Sequence, residues 1–183
     1  RHGSILTYRE TAEAVRSVAG FLSEKGVQRG DRVAIHFQNR AEIAIALYAT
    51  SLLSAAYVVL NSKLKPKIRK ILDQEEPIEI FADESTLANL EDADDIPTKI
   101  IADEAPDSTR TAWRKMLSHP AYETDLPGYD VDAACLVFTS GSTGTPHGVW
   151  SWRGDFTRPH TATDTAAGNP HSAPEGSHAE PCQ

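Results

Sequence analysis

The sequence predicts an α/β fold, a largely parallel sheet with flanking helices. Two observations predict it. Segments whose apolar residues recur at helical spacing alternate with short apolar runs bounded by turn residues, the pattern of repeated β–α–β units. The chain's 183 residues are 40% hydrophobic, enough for one moderate domain with a real core. Connections between parallel strands are expected to be right-handed crossovers.

The elements follow in order. From Thr7 to Lys25 the apolar groups Tyr8, Ala12, Val15, Val18, Ala19 and Leu22 fall on helical spacing. Thr7 with Glu10 three residues on reads as a capping box, and Gly26 as the C-terminal stop. Gly30-Asp31 makes a turn into a strand over Arg32 to Phe37. Asn39 is placed to cap a second, buried helix from about Ala41 to Leu53, followed by a strand over Tyr57 to Leu60. A helix over Pro66 to Asp73 has Pro66 in its first turn. A strand over Ile78 to Ala82, a short helix over Glu84 to Leu90, a strand over Thr98 to Ala102 and a helix over Thr109 to Leu117 come next. The run Ala133 to Phe138 is the last strand expected. Trp113 and Met116, three apart, read as a packing face. His36 reads as a structural or surface residue.

The net charge is −8, which argues against a nucleic-acid partner, since phosphates call for a basic patch. The acidic residues concentrated between Asp83 and Asp132 read as a solvated face. So does the local basic cluster Lys63, Lys65, Lys67, Arg69 and Lys70. Cys135 lies in an apolar run and reads as a small core residue, while Cys182 sits in a polar tail. Two such cysteines make neither a disulfide framework nor a metal-ligand pattern, so the reducing cytoplasm is the expected compartment. No stretch is long and apolar enough for a membrane helix, and the opening residues lack a signal-peptide core. The first residue is Arg rather than Met. A fragment or a processed chain is therefore expected, with any targeting signal upstream lost.

Composition divides the chain near Trp150, giving a domain over 4–150 and a tail over 151–183. From Ser151 onward there is no Leu, Ile, Val or Met, while Pro159, Pro170, Pro174 and Pro181 are scattered among small and polar residues. Such a segment buries too little apolar surface to offset its chain entropy, and disorder is expected. His160, His171 and His178 lack ligand spacing, and no metal site is expected.

Chemistry concentrates in the loop Thr139-Ser140-Gly141-Ser142-Thr143-Gly144-Thr145-Pro146-His147-Gly148, directly after an apolar strand. Its glycines permit tight backbone geometry and close approach of a ligand. Successive N–H groups can form an anion-binding nest, and the hydroxyls add rotatable donors. The combination describes a phosphate cradle; the bland reading is a flexible polar turn. The spacing fits neither the Walker A loop, because Gly141 leads to Pro146-His147 rather than Gly-Lys, nor a nucleophile elbow, because Ser140 precedes Ser142 where glycine is needed.

The string TSGSTGTPHGV (Thr139–Val149) resembles the phosphate-binding signature of the adenylate-forming, AMP-binding superfamily, which includes acyl-CoA synthetases and peptide synthetase adenylation domains. LTYRE at Leu6 to Glu10, GVQRGDRVAIHFQN at Gly26 to Asn39 and AAYVVLN at Ala55 to Asn61 resemble the opening of such enzymes in order and spacing. The resemblance implies a partial N-terminal domain of an ATP-dependent acid–thiol ligase. Such a ligase activates a small carboxylic acid as an acyl adenylate, using ATP with Mg. It then passes the acyl group to coenzyme A or to the phosphopantetheine thiol of a carrier protein. It further implies that Thr139, Ser140, Gly141, Ser142, Thr143 and Gly144 wrap the β- and γ-phosphates, with His147 beside them.

His147 stands where the family pattern has lysine. A lysine is charged at neutral pH, whereas an unperturbed imidazole is mostly neutral, so weaker handling of ATP is expected. Nothing after Trp150 resembles the family's acid pocket, magnesium ligand, ribose-binding aspartate or catalytic lysine. No catalytic residue is therefore assigned in this chain, and little catalysis is expected from it alone. The alternative is a non-catalytic remnant, or a module binding a nucleotide or a partner, without the downstream active site.

Overall fold

In a computed structural model of the chain, the structure describes residues 6–38, 40–61, 67–87, 89–90, 99–101, 110–124, 132–139 and 147–154. Helix α1 (Tyr8–Glu24) begins as its sequence dictates. The Thr7 side chain accepts from the Glu10 amide, and the Glu10 carboxylate accepts from the Thr7 amide at 2.7 Å. This reciprocal bonding holds the Glu10 carboxyl below its usual range. Gly26 and Gly30 have φ of +93° and +89°, conformations that glycine adopts without steric penalty. They turn the chain into β1 (Arg32–His36).

The remaining elements are α2 (Ala41–Leu52), β2 (Ala56–Val59), α3 (Ile68–Glu75), β3 (Glu79–Ala82), α4 (Glu84–Leu87), β4 (Lys99–Ile101), β5 (Arg110–Ala112), α5 (Trp113–Leu117), β6 (Ala133–Thr139) and β7 (His147–Trp152). They build one seven-stranded sheet in the order β5-β4-β3-β1-β2-β6-β7. Every pairing is parallel except the antiparallel β6–β7. The expected largely parallel α/β architecture is the one observed.

Alternate residues of β1, β2 and β3 feed two cores, one on each face of the sheet. Val33, Ile35 and Phe81 join Val18, Leu22, Ile45, Ala49, Trp113 and Met116 beneath α1, α2 and α5. Ala34, Val58, Ile80 and Leu136 join Ile68, Ile71 and Leu72 of α3 on the other side. A strand buried on both faces reads as a continuous apolar run, which is why these strands were legible. Trp113 and Met116 form the expected packing face, with Phe37, Phe81 and Trp113 in edge or tilted ring contacts near 6 Å.

Several expectations are corrected. The helix expected over Thr109 to Leu117 is a strand at Arg110–Ala112 followed by the short α5. Pairing of these residues with β4 overrides their local preference. Ala133 to Phe138 is not the last strand: β7 follows it, paired antiparallel to β6, and its polar and glycine residues conceal it in the sequence. Arg40, not Asn39, holds the N-cap position of α2, without a side-chain cap bond. Helix α3 starts at Ile68, with Lys67 at its N-cap position and no side-chain cap bond. Asp83 is not on a solvated face but 2% exposed. Asn39, Lys63, Lys65, Pro66, Cys182, His160, His171 and His178 lie outside the described residues, as does the chain after Gly154.

Candidate functional site

The loop singled out from the sequence connects β6 to β7. Because β6 runs parallel to β2, it ends on the same edge as β1 and β3, the carboxyl edge, where open α/β sheets place their ligands. Thr139 is the last residue of β6 and His147 the first of β7, and the two are direct partners across the antiparallel ladder. Both ends of the connection are therefore fixed by the sheet. Ser140, Gly141, Ser142, Thr143 and Gly144 lie outside the described residues.

The hairpin that carries the loop is held on three sides. On its inner face Leu136 and Phe138 pack into the α3-side core, with Trp150 against it. Gly148 faces Phe138 across the ladder, and a Cβ built there would lie 2.8 Å from Leu136 Cδ1 and 3.2 Å from Phe138 Cε1. Glycine is thus required by packing, not by backbone conformation. The Arg32 guanidinium sits 5.7 Å from the centre of the Trp150 ring. Arg32 also lies 3.6 Å from the Glu75 carboxylate, whose pKa burial pushes up against the opposing pull of that arginine.

At the base, the Arg29 guanidinium donates to Asp132 Oδ1 at 2.6 Å. The Arg153 amide donates to the Asp132 carbonyl at 2.9 Å, and the Arg153 guanidinium donates to the Ser51 carbonyl at the end of α2. Cys135, buried and free, neighbours Tyr57 across β2–β6. Burial, with Cys135 beside it, pushes the Tyr57 phenol up to about 12.

A second polar group stands on the same carboxyl edge. His36, fully buried at the end of β1, bonds the Leu60 carbonyl through Nδ1 at 2.8 Å and the Asn89 side chain through Nε2 at 3.0 Å. A carbonyl can only accept, so Nδ1 carries the proton and Nε2 accepts from the Asn89 amide. Burial pushes the His36 pKa down, against the carbonyl bond and the nearby Asp83 charge. Asp83 accepts from the Gln38 and Thr86 amides and from the Ser85 hydroxyl. Burial would raise its pKa, but these donors, with Arg40 nearby, outweigh it and hold the carboxyl below its usual value. Sequence reading missed this network because His36, Gln38 and Asn89 come to it from distant segments; its one local signal was Asp83 with Thr86 three residues on, bonded reciprocally at the start of α4. Among the described residues no group of His, Cys, Asp and Glu could hold a metal ion.

A mostly parallel sheet with a Gly/Ser/Thr connection leaving its carboxyl edge defines the class of open α/β protein that places ligands at that edge. The chain belongs to the AMP-binding enzyme family, whose pattern matches residues 1–166. It is 34% identical over 159 residues to the L-proline–[L-prolyl-carrier protein] ligase of Streptomyces coelicolor, covering 79% of this chain and 29% of that enzyme. It is 29% identical over 173 residues to acetyl-coenzyme A synthetase 2 of Pseudomonas aeruginosa, covering 82% of this chain and 27% of that enzyme. The fold matches an anthranilate CoA ligase solved with anthranoyl-AMP at a TM-score of 0.77, with 20% identity over 82% of this chain and 30% of that one. Acetoacetyl-CoA synthetase from Streptomyces lividans matches at 0.72, with 22% identity over 82% of this chain and 26% of that one. The chain thus spans about three tenths of the length of these relatives.

Proposed function

We propose that this chain supplies the phosphate-binding part of an ATP-dependent acid–thiol ligase, which activates a carboxylic acid as an acyl adenylate for transfer to a thiol. The observation that carries the reading is the register of Thr139 opposite His147 at the carboxyl edge, closing a loop whose residues suit phosphate oxygens. Thr139, Ser140, Gly141, Ser142, Thr143 and Gly144 hold the β- and γ-phosphates of ATP, with His147 beside them. Donors fixed before the ligand arrives stabilise charge on a leaving pyrophosphate without reorganising. Magnesium would arrive with the nucleotide, coordinated by its phosphate oxygens. The relatives include both a carrier-protein ligase and a CoA synthetase, so coenzyme A and a carrier-protein thiol are both compatible acceptors. Among the described residues no helix is long and apolar enough to cross a membrane, and a cytoplasmic location belongs to the same reading.

Equilibrium binding of Mg-ATP to the 183-residue chain tests it. Ser142→Ala and Thr143→Ala should each weaken binding by roughly tenfold, since a hydrogen bond to a charged group contributes about 1.5–3 kcal/mol. Equal ATP affinity in wild type and both variants would sink the reading.

A further inference from the structure

Between α1 and α2 lies an open groove of about 490 Å³, lined chiefly by Ala12, Val15, Leu52, Tyr8, Tyr48 and Arg153. Tyr8 and Tyr48 are 98% and 64% exposed, so both rings stand largely uncovered at its rim. The phosphate loop leaves the opposite end of the β6–β7 hairpin. Nothing in the proposed ligase chemistry uses this groove.

We propose that the groove receives the chain segment that follows Gly154, with Phe156 as its anchor. Three observations lead there. Arg153 is itself part of the groove wall, and its bonds to the Ser51 and Asp132 carbonyls fix the point from which the segment departs. Phe156 lies three residues beyond Arg153, within about 11 Å of it even at full extension, so it stays within reach of the groove. Finally, Phe156 is the one large apolar residue among the 29 that follow Gly154. The groove offers aliphatic walls and aromatic rims, and an aromatic ring there gains edge or offset contacts beyond its area burial. A segment otherwise too polar to fold would thus be tied to the domain at its first residues.

The test is disulfide trapping in the full chain with Cys182→Ser. Leu52→Cys with Thr157→Cys, which leaves Phe156 in place, should give an intrachain disulfide under mild oxidation, since bridging needs Cα atoms within about 7 Å. Asp73→Cys on α3, across the sheet, should not trap Thr157→Cys. Equal trapping of the two pairs overturns the proposal. A Leu52–Thr157 pair that crosslinks only between chains also overturns it, and assigns the groove to a second copy. Independently, Phe156→Asp should lower the urea midpoint by about 1 M, from the lost apolar burial, while Phe156→Leu keeps most of it. An unchanged midpoint in Phe156→Asp contradicts the anchor.

Discussion

Thr139 and His147 stand opposite one another as the last ladder pair of the β6–β7 hairpin. The connection between them therefore begins and ends at one fixed point on the carboxyl edge of the sheet. Its position is set by the ladder beneath it and by the core under Leu136 and Phe138.

Gly148, next to His147, tests that support. Gly148→Ala places a methyl 2.8 Å from Leu136 Cδ1, in contact with side chains that are themselves buried. Overfilling of this kind costs about 1–3 kcal/mol. Urea denaturation should show that loss, and ATP affinity should fall with it as the hairpin shifts.

Gly20 marks a second close approach. A Cβ there would lie 2.2 Å from the Pro120 carbonyl oxygen, where the chain after α5 crosses α1. That crossing is also held by the Tyr122 amide on the Arg16 carbonyl and by His119 Nε2 on the Glu24 carboxylate. Gly20→Ala must push backbone rather than a flexible side chain. It should cost at least about 1–3 kcal/mol and speed amide exchange at His119, Ala121 and Tyr122. Unaltered exchange there would contradict the contact.

His36 makes stability depend on pH. Its pKa is lowered in the folded state by burial, so between the folded and unfolded values the unfolded chain binds more protons. Stability is full above the unfolded value, about 6.5, and falls as pH drops through the folded value. Urea midpoints at pH 7 and pH 5 should show this loss, and His36→Gln should diminish the difference between them.

His147 occupies the position of the family's lysine. If the loop holds ATP phosphates, His147→Lys adds a fixed positive charge at the start of β7 and should tighten Mg-ATP binding by roughly tenfold at pH 7.5, the scale of one charge-assisted hydrogen bond. Wild type should narrow the gap at pH 6, where an unperturbed imidazole is largely protonated. Affinities that match at both pH values would count against His147 as a phosphate neighbour.

The sequence by itself determined the α/β class, the capping box of Thr7 and Glu10, and the turn glycines Gly26 and Gly30. It also gave the strands that are buried on both faces. These are local matters: a periodicity, a cap or a left-handed backbone is written within a few residues. The family resemblance of the string Thr139–Val149 was legible for the same reason, because the string is contiguous.

Only the tertiary structure decided what depends on residues distant in the chain. Arg110–Ala112 is a strand because β4 lies beside it, and β7 is a strand because β6 offers it a partner. Asp83 lost its expected solvent face because Gln38, 45 positions away, and its own α4 bring donors around it. The requirement for glycine at 20 and 148 comes from Pro120, Leu136 and Phe138, which meet those positions only after folding. Local patterns are short-range and readable in one dimension. Strand pairing, close approach and buried hydrogen-bond networks are contacts between segments, and the linear sequence does not say which segments meet.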